Sequence, residues 1–309
     1  MDRVPIICDY GSGFSKVGFA GKEAPLAIFP TILGKLRHDT ILIGMEEEDW
    51  FIGDDTQKNR EKLILQYPIS RGAINSWDNL EKIWHHSFYQ VLRTPPEEHP
   101  LMVTESPLNS TSTKEKVCQI LFETFNVPAL SLINQGVLSL YASGQTSGTT
   151  IESGEGMTYF VPIADGCPLH QSTFQLDVAG QDLTWYLLQL LTERGILLVG
   201  TGRSAQGIHM MTTQCITSCH PDLQKTLFSH ILLSGGTGSF TGLRLRLQRE
   251  LAGLVSPTID VKVSSSPYGK CSAWVGGSIL GSLSTFKDMW VTRGEYRDVG
   301  CSIINRKSF

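Results

Sequence analysis

The sequence predicts an α/β protein of two similar lobes that face each other across a ligand cleft, and three observations predict it. The first is the stretch Ile6-Ile7-Cys8-Asp9-Tyr10-Gly11-Ser12-Gly13-Phe14-Ser15-Lys16, a short apolar strand that runs through a glycine turn into a second strand. Gly11 and Gly13 let the backbone aim successive N–H groups into one concavity, which suits phosphate oxygens. Ser12 adds a hydroxyl donor and Lys16 can return an ammonium to the same anion, while Asp9 at the strand end is placed to hold a Mg2+-bound water. A lone Gly-x-Gly fits an ordinary hairpin equally well. The second observation tips the balance, because Glu152-Ser153-Gly154-Glu155-Gly156-Met157 repeats the scheme acid, x, Gly, x, Gly, apolar, again between β-type runs. Two such hairpins suggest a ligand clamped from both sides. The third is the alternation of strand and helix between residues 101 and 143, which favours an α/β lobe.

Composition sets the outer bounds. The chain has 309 residues, enough for two domains with real cores, and 41% hydrophobic with 18% charged residues is an ordinary globular balance. A formal net charge of −4 gives no general attraction to nucleic acid or to an anionic membrane. No stretch approaches the roughly 18 unbroken apolar residues of a membrane span, so no membrane insertion is expected. Residues 1–5 lack the apolar core of a signal peptide. Seven cysteines, odd in number and scattered, indicate a reduced, cytoplasmic protein.

In chain order, the first lobe continues through Phe29, Pro30 and Thr31 into a polar segment over 37–49. Its four adjacent acids, Glu46, Glu47, Glu48 and Asp49, repel one another and prefer solvent, which predicts an exposed loop; a contact for a basic partner is the lesser reading. Trp77, Leu80, Trp84, Phe88, Val91 and Leu92 follow helical spacing, ended by Thr94-Pro95-Pro96. His85 and His86 lie on this helix without a metal-ligand pattern. Residues 101–104 read as a strand, and Ser112-x-x-Glu115 reads as a capping box opening a helix over 114–125. Asn126-Val127-Pro128 stops that helix, a strand runs through Ile133, and a helix over 136–143 follows. Gln135 therefore sits at a strand-to-helix junction, where α/β proteins project ligand-facing side chains, although polar capping explains it as well.

The second lobe leads from its hairpin to Asp182, which starts a helix to Arg194 with Gly195 as its C-cap. From 195 to about 225 no period is sustained, and irregular structure is expected. His209, Cys215, Cys219 and His220 do not have a usual zinc spacing. Residues 231–234 then read as a strand before Gly235-Gly236-Thr237-Gly238-Ser239-Phe240-Thr241-Gly242 and a helix over 243–254, a combination that brings backbone close to a flat or anionic ligand. Lys270 precedes a helix of small and apolar residues over 272–283.

These runs together resemble actin over nearly the whole chain. The resemblance is carried by residues 9–13 through Phe19-Ala20-Gly21, by 77–86 (Trp-Asp-Asn-Leu-Glu-Lys-Ile-Trp-His-His) and by 121–126 (Leu-Phe-Glu-Thr-Phe-Asn). It continues through 138–144 (Leu-Ser-Leu-Tyr-Ala-Ser-Gly), 191–195 (Leu-Thr-Glu-Arg-Gly), 233–237 (Leu-Ser-Gly-Gly-Thr) and 274–280 (Trp-Val-Gly-Gly-Ser-Ile-Leu). It implies the actin-like ATPase fold, which is ribonuclease H-like and is shared with the 70-kDa heat-shock chaperones and sugar kinases. Two α/β lobes there hold ATP or ADP with Mg2+ (or Ca2+) between them. The implied first lobe is 1–142, with 31–67 as its outer subdomain and 272–309 joined to it. The implied second lobe is 143–271, with 195–227 a shortened irregular segment. By position, Gly11, Ser12, Gly13 and Lys16 match the phosphate loop, Asp9 the acid that holds the hydrated metal, and Gly154, Glu155 and Gly156 the opposing loop. Gly236, Phe240 and Lys270 match adenosine contacts, and Gln135 matches the glutamine that positions the attacking water. Tyr141, Gly144, Val275, Ile279, Leu280 and Leu283 match the groove where actin-binding proteins insert a helix.

Departures from the family pattern shape the functional expectation. Tyr10 stands for an asparagine, Glu152 and Glu155 for aspartates, Tyr159 for the histidine that helps order the nucleophilic water, and Arg71 for the family's modified histidine. After Gly195 the chain is shorter than the family's by roughly half a small domain. Most of the outer subdomain of the second lobe is therefore missing, with the lysine and glutamate that clasp the adenine. The expectation is a divergent cytoskeletal protein that associates with actin-binding or other cytoskeletal partners and takes nucleotide as a structural ligand with weak or no hydrolysis. An ATP-hydrolysing, filament-forming actin is the alternative. A small-molecule kinase comes last, because no sugar-binding constellation is visible.

Overall fold

The three consecutive apolar residues Ile6, Ile7 and Cys8 require a strand covered on both faces, and in the computed structural model all three are wholly buried. Residues 3–37, 50–193 and 207–307 are described. The strand β1 (Ile6–Tyr10) and β2 (Phe14–Phe19) form the antiparallel hairpin around Gly11 and Gly13, with Asp9 directly opposite Lys16. β3 (Ala27–Pro30) adds to β2. A smaller sheet follows, with β4 (Leu33–Leu36) between β5 (Trp50–Ile52) and β6 (Leu63–Gln66), and α1 (Asp54–Lys58) lies in the connection. The ribbon of β7 (Ile69–Ser70) and β8 (Ala73–Ile74) turns at Arg71 and Gly72, whose φ values are +48° and +73°. The acidic run Glu46 to Asp49 lies outside the described residues.

The apolar period over 77–92 forms α2 (Trp77–His85), which then widens into a π-helical turn, His86–Val91, instead of continuing unchanged. Buried Ser87 is the physical reason. Its hydroxyl donates to the Ile83 carbonyl at 2.7 Å, while its own carbonyl accepts from the Leu92 N–H five residues on. β9 (Leu101–Glu105) lies parallel to β1. α3 (Thr111–Glu123) starts earlier than the Ser112-x-x-Glu115 reading placed it. The Ser110 hydroxyl accepts from the Thr113 N–H at 3.2 Å and so takes the cap, and Glu115 instead accepts from Asn305 Nδ2 at 2.8 Å. β10 (Ala129–Asn134) runs parallel to β9 into α4 (Gln135–Ala142). Asn134 Oδ1 accepts from the Gly136 N–H at 2.8 Å, so Asn134 and not Gln135 supplies the cap.

A second sheet repeats this plan. β11 (Gly148–Ser153) and β12 (Thr158–Ala164) make the hairpin around Gly154 and Gly156, with Glu152 opposite Tyr159. β13 (Cys167–Pro168) and β14 (Phe174–Leu176) pair with β12. α5 (Gly180–Glu193) begins two residues before Asp182, and the expected stop at Gly195 lies outside the described residues.

Where irregular structure was expected up to 227, the chain instead forms α6 (Ile208–Thr217) and α7 (Pro221–Ser229). The polar residues that hid α6 turn their hydroxyls back onto its own carbonyls, Thr212 to Ile208 at 2.8 Å and Thr217 to Thr213 at 2.8 Å. Met211, Cys215, Ile216, Leu227 and Phe228 then bury against Ile151, Phe160 and Leu233 of the sheet. Cys215 and Cys219 are thus core thiols. β15 (Ile231–Ser234) lies parallel to β11, and α8 (Gly235–Gly238) and α9 (Leu243–Leu254) lead to β16 (Val263–Ser265), parallel to β15. Each sheet is therefore a glycine hairpin with two parallel strands added beside its first strand.

α10 (Ser272–Ser282) packs on α4 and on β1, and β17 (Val291–Thr292) pairs with β10. Glycine at 276 is obligatory here, since a Cβ would fall inside the Leu138 carbonyl. The indole N–H of Trp274 donates to the Ile7 carbonyl at 3.0 Å, tying this late helix to the first strand of the chain.

Candidate nucleotide cleft

The two hairpin turns meet tip to tip. A Cβ on Gly13 would lie 3.0 Å from Glu155 Cβ, and one on Gly156 would lie 2.8 Å from Arg71 Cα and 2.9 Å from Ser12 Oγ. Larger residues at either position would push the turns apart. Ser12 Oγ also accepts from the Gly72 N–H at 3.0 Å. Behind the turns lies a cavity of about 590 Å3. Asp9, Gly11, Ser12, Gly13, Lys16 and Gln135 line it from one side, and Gly154, Glu155, Gly156, Gly236 and Lys270 from the other. Such a volume is in the ordinary range for a small-molecule site. Phe240 is not in the lining and is 59% exposed. Lys270 Nζ sits 4.6 Å from the centre of the Phe14 ring, a cation–π contact that ties Lys270 to the first hairpin.

Charge in the cavity is arranged in pairs. Lys16 Nζ lies 2.8 Å from Asp9 Oδ2, and Thr104 Oγ1 donates to Asp9 Oδ1 at 2.6 Å, so each oxygen of Asp9 already has a donor. Glu152 reaches in from the second sheet. Burial pushes its carboxyl up to about 7 against the opposing hydroxyls of Ser139 and Ser234, and its Oε1 has no hydrogen-bond partner. Deeper on the first side, Lys114 Nζ is 2.7 Å from Glu105 Oε1, and burial raises the Glu105 carboxyl even against this lysine. At the mouth, Arg71 grips Asp182 with both terminal nitrogens, at 2.8 and 3.3 Å, and reaches the Asp177 carbonyl at 3.2 Å. Burial pulls the Asp182 carboxyl up. The Arg71 guanidinium and the Ala179 N–H more than offset this and hold it below its usual range.

Several of these residues were not singled out as a site from the sequence. Arg71 and Asp182 are far apart in the chain, and nothing local marks them as partners. Thr104, Glu105 and Lys114 read as ordinary strand and helix positions. Tyr159 was noted only as a replacement. Its hydroxyl abuts Gly72, where a Cβ would lie 2.5 Å away, and burial raises its pKa with Ser106 opposing.

The backbone cradle suits a polyphosphate. Nothing lies within 4 Å of a Cβ built on Gly154, and only Lys270 Cβ, at 4.0 Å, approaches one on Gly236. Each Asp9 oxygen accepts one donor and keeps a second lone pair toward the cavity it lines, which suits a cation held through one of its waters. Among the described residues no group of three or more His, Cys, Asp and Glu is placed to hold a metal ion.

The residues expected to line a helix-insertion groove at the base lie at the end of α4 and along α10 to the residue that follows it. Ile279 and Leu283 are 42% and 47% exposed, Gly144 is exposed as well, Tyr141 and Leu280 are half-buried, and Val275, at 3%, belongs to the core beneath. Among the described residues no helix is long and apolar enough to cross a membrane.

Two sheets of one plan, each presenting a glycine hairpin to a shared cavity, define an α/β protein of two lobes around a cleft. The family model described as Actin matches residues 2–201 and 200–309, and the chain belongs to the actin family. The two matched segments meet at residues 200–201, inside the stretch where the sequence analysis placed the shortening.

Proposed function

We propose that this is a divergent actin-like cytoskeletal protein of the cytoplasm that associates with actin-binding or other cytoskeletal partners and holds ATP or ADP as a structural ligand. The observation that carries the reading is the exposed apolar end of α10, Ile279 and Leu283, beside half-buried Leu280 and the C-terminal end of α4. An amphipathic helix laid there would cover side chains that otherwise face water. Ile279 is the residue to test because its exposure spares the core. Ile279→Asp is expected to weaken binding of a helical actin-binding peptide by tenfold or more, the cost of desolvating a charge against an apolar partner. Calorimetric titration reads this directly, and unchanged affinity would remove the groove from the proposal.

Weak or absent hydrolysis follows from the position opposite Glu152. Phosphoryl transfer depends on positioning and electrostatics. Tyr159 presents there a phenol whose pKa burial has raised above its ordinary value, in place of an imidazole that titrates near 6.5. Gln135 then acts without a second group to order the water. Phosphate release from ATP is expected to stay near the buffer background, and rapid turnover lost in Lys16→Ala would establish the hydrolysing alternative instead.

A further inference from the structure

We infer that Phe14 is the platform on which the base of a bound nucleotide stacks, so that the cleft takes nucleoside polyphosphates with little regard to which purine they carry. The inference rests on the nucleotide reading above and concerns the end of the ligand that the phosphate cradle does not hold. Phe14 closes the first hairpin. Its carbonyl accepts from the Gly11 N–H at 3.1 Å and it stands opposite Pro30 in the β2–β3 register, so its backbone is fixed. The side chain lines the cavity yet is 43% exposed, whereas the next four residues of β2 are buried. Of the aromatic residues that line the cavity among those described, Trp84 and Tyr159 are buried and Tyr10 is half-buried, so Phe14 alone offers a broad ring surface. Phe240, which the family pattern places at the base, lies outside the lining. The Lys270 ammonium, 4.6 Å from the ring centre, fixes the orientation of the Phe14 ring from the loop after β16. Beside Lys270 the wall is made of Gly235 and Gly236, which carry no side chain, and of Thr237, whose hydroxyl donates to the Gly154 carbonyl at 2.7 Å. This end therefore has room for a flat ring and few groups to read its edge. Stacking on an aromatic face tolerates different bases, because every base has a π-face. Deeper in the cavity the buried Glu105 with its lysine, 2.7 Å apart, suits a planar base far less.

Calorimetric titration of the full chain with ATP, GTP and inorganic tripolyphosphate, all in MgCl2, tests this. The two nucleotides are expected to agree within about fivefold, and each to bind about fivefold or more tighter than tripolyphosphate, the gain that one stacked base brings. Phe14→Ala is expected to weaken both nucleotides by about fivefold or more and to leave tripolyphosphate unchanged, while Phe14→Tyr keeps both nucleotides within about twofold. Tripolyphosphate binding as tightly as ATP, or a preference between the two purines larger than about fivefold, would overturn the inference and leave the phosphate cradle intact. Unchanged nucleotide affinity in Phe14→Ala would also overturn it, as would an equal loss for all three ligands, since the ring would then only shape the turn. Absence of binding by all three ligands on the unaltered chain would overturn the nucleotide reading, and this inference with it. Thermal melts confirm that the variants are folded, and the comparison of ligands on the unaltered chain needs no variant.

Discussion

Burial lifts the Glu152 carboxyl to about 7 from an ordinary 4.5. The sign of its effect on stability follows. The folded pKa lies above the unfolded one, so this group costs nothing below about pH 4.5 and becomes progressively unfavourable as pH rises through 7. The full cost is roughly 3 kcal/mol at the conversion of 1.36 kcal/mol per pKa unit. Glu152→Gln is therefore expected to leave stability unchanged near pH 4 and to raise it by about 1–3 kcal/mol near pH 8. Urea unfolding across that range is the measurement, and an unaltered slope in the variant would show that another group governs it.

Between elements, the contact that spans the mouth is the Arg71–Asp182 pair, which joins the β7–β8 turn to the start of α5. Arg71 is held at a φ of +48°, a conformation that costs a non-glycine residue of the order of 1 kcal/mol. The bidentate grip on Asp182 offsets it. With the two side chains 34% and 20% exposed, solvent screening limits the pair to about 1–2 kcal/mol. Asp182→Ala removes this grip and the acceptor of the Ala179 N–H together. Stability is expected to fall by about that amount, and amide exchange at Gly72, whose N–H bonds Ser12 across the same mouth, is expected to speed up. The pH dependence is opposite to that of Glu152. The Asp182 carboxyl is depressed in the folded state, so its contribution is present above its ordinary value of 3.8 and is lost as pH falls below it.

For the molecule as a whole, the outcome to test is self-assembly. A filament requires both ends of each subunit to complement the next. On the proposed reading the shortened second lobe lacks one of those surfaces, so the purified chain is expected to remain in the supernatant on high-speed centrifugation. Pelleting with filaments visible by electron microscopy would contradict this.

Local chemistry alone made the two hairpins legible. Glycine at 11, 13, 154 and 156 permits the turns, and the alternation of short apolar strands with helices around α4 and α10 follows from periods of a few residues. Because the hairpin register depends on near neighbours, even the facing of Asp9 and Lys16 was implicit in the spacing. Other features depended on what the chain packs against. Ser110 and Ser112 are both competent caps, and the choice fell to Ser110 because its hydroxyl reaches Thr113 while Glu115 is drawn to Asn305. The threonines and cysteines of α6 carry no amphipathic signal, and only burial against Ile151, Phe160 and Leu233 makes that segment a helix. Arg71 meets Asp182, and Glu152 acquires a carboxyl near 7, only when the two sheets are brought together, since desolvation and ion pairing act through space and leave no trace in the spacing of residues along the chain.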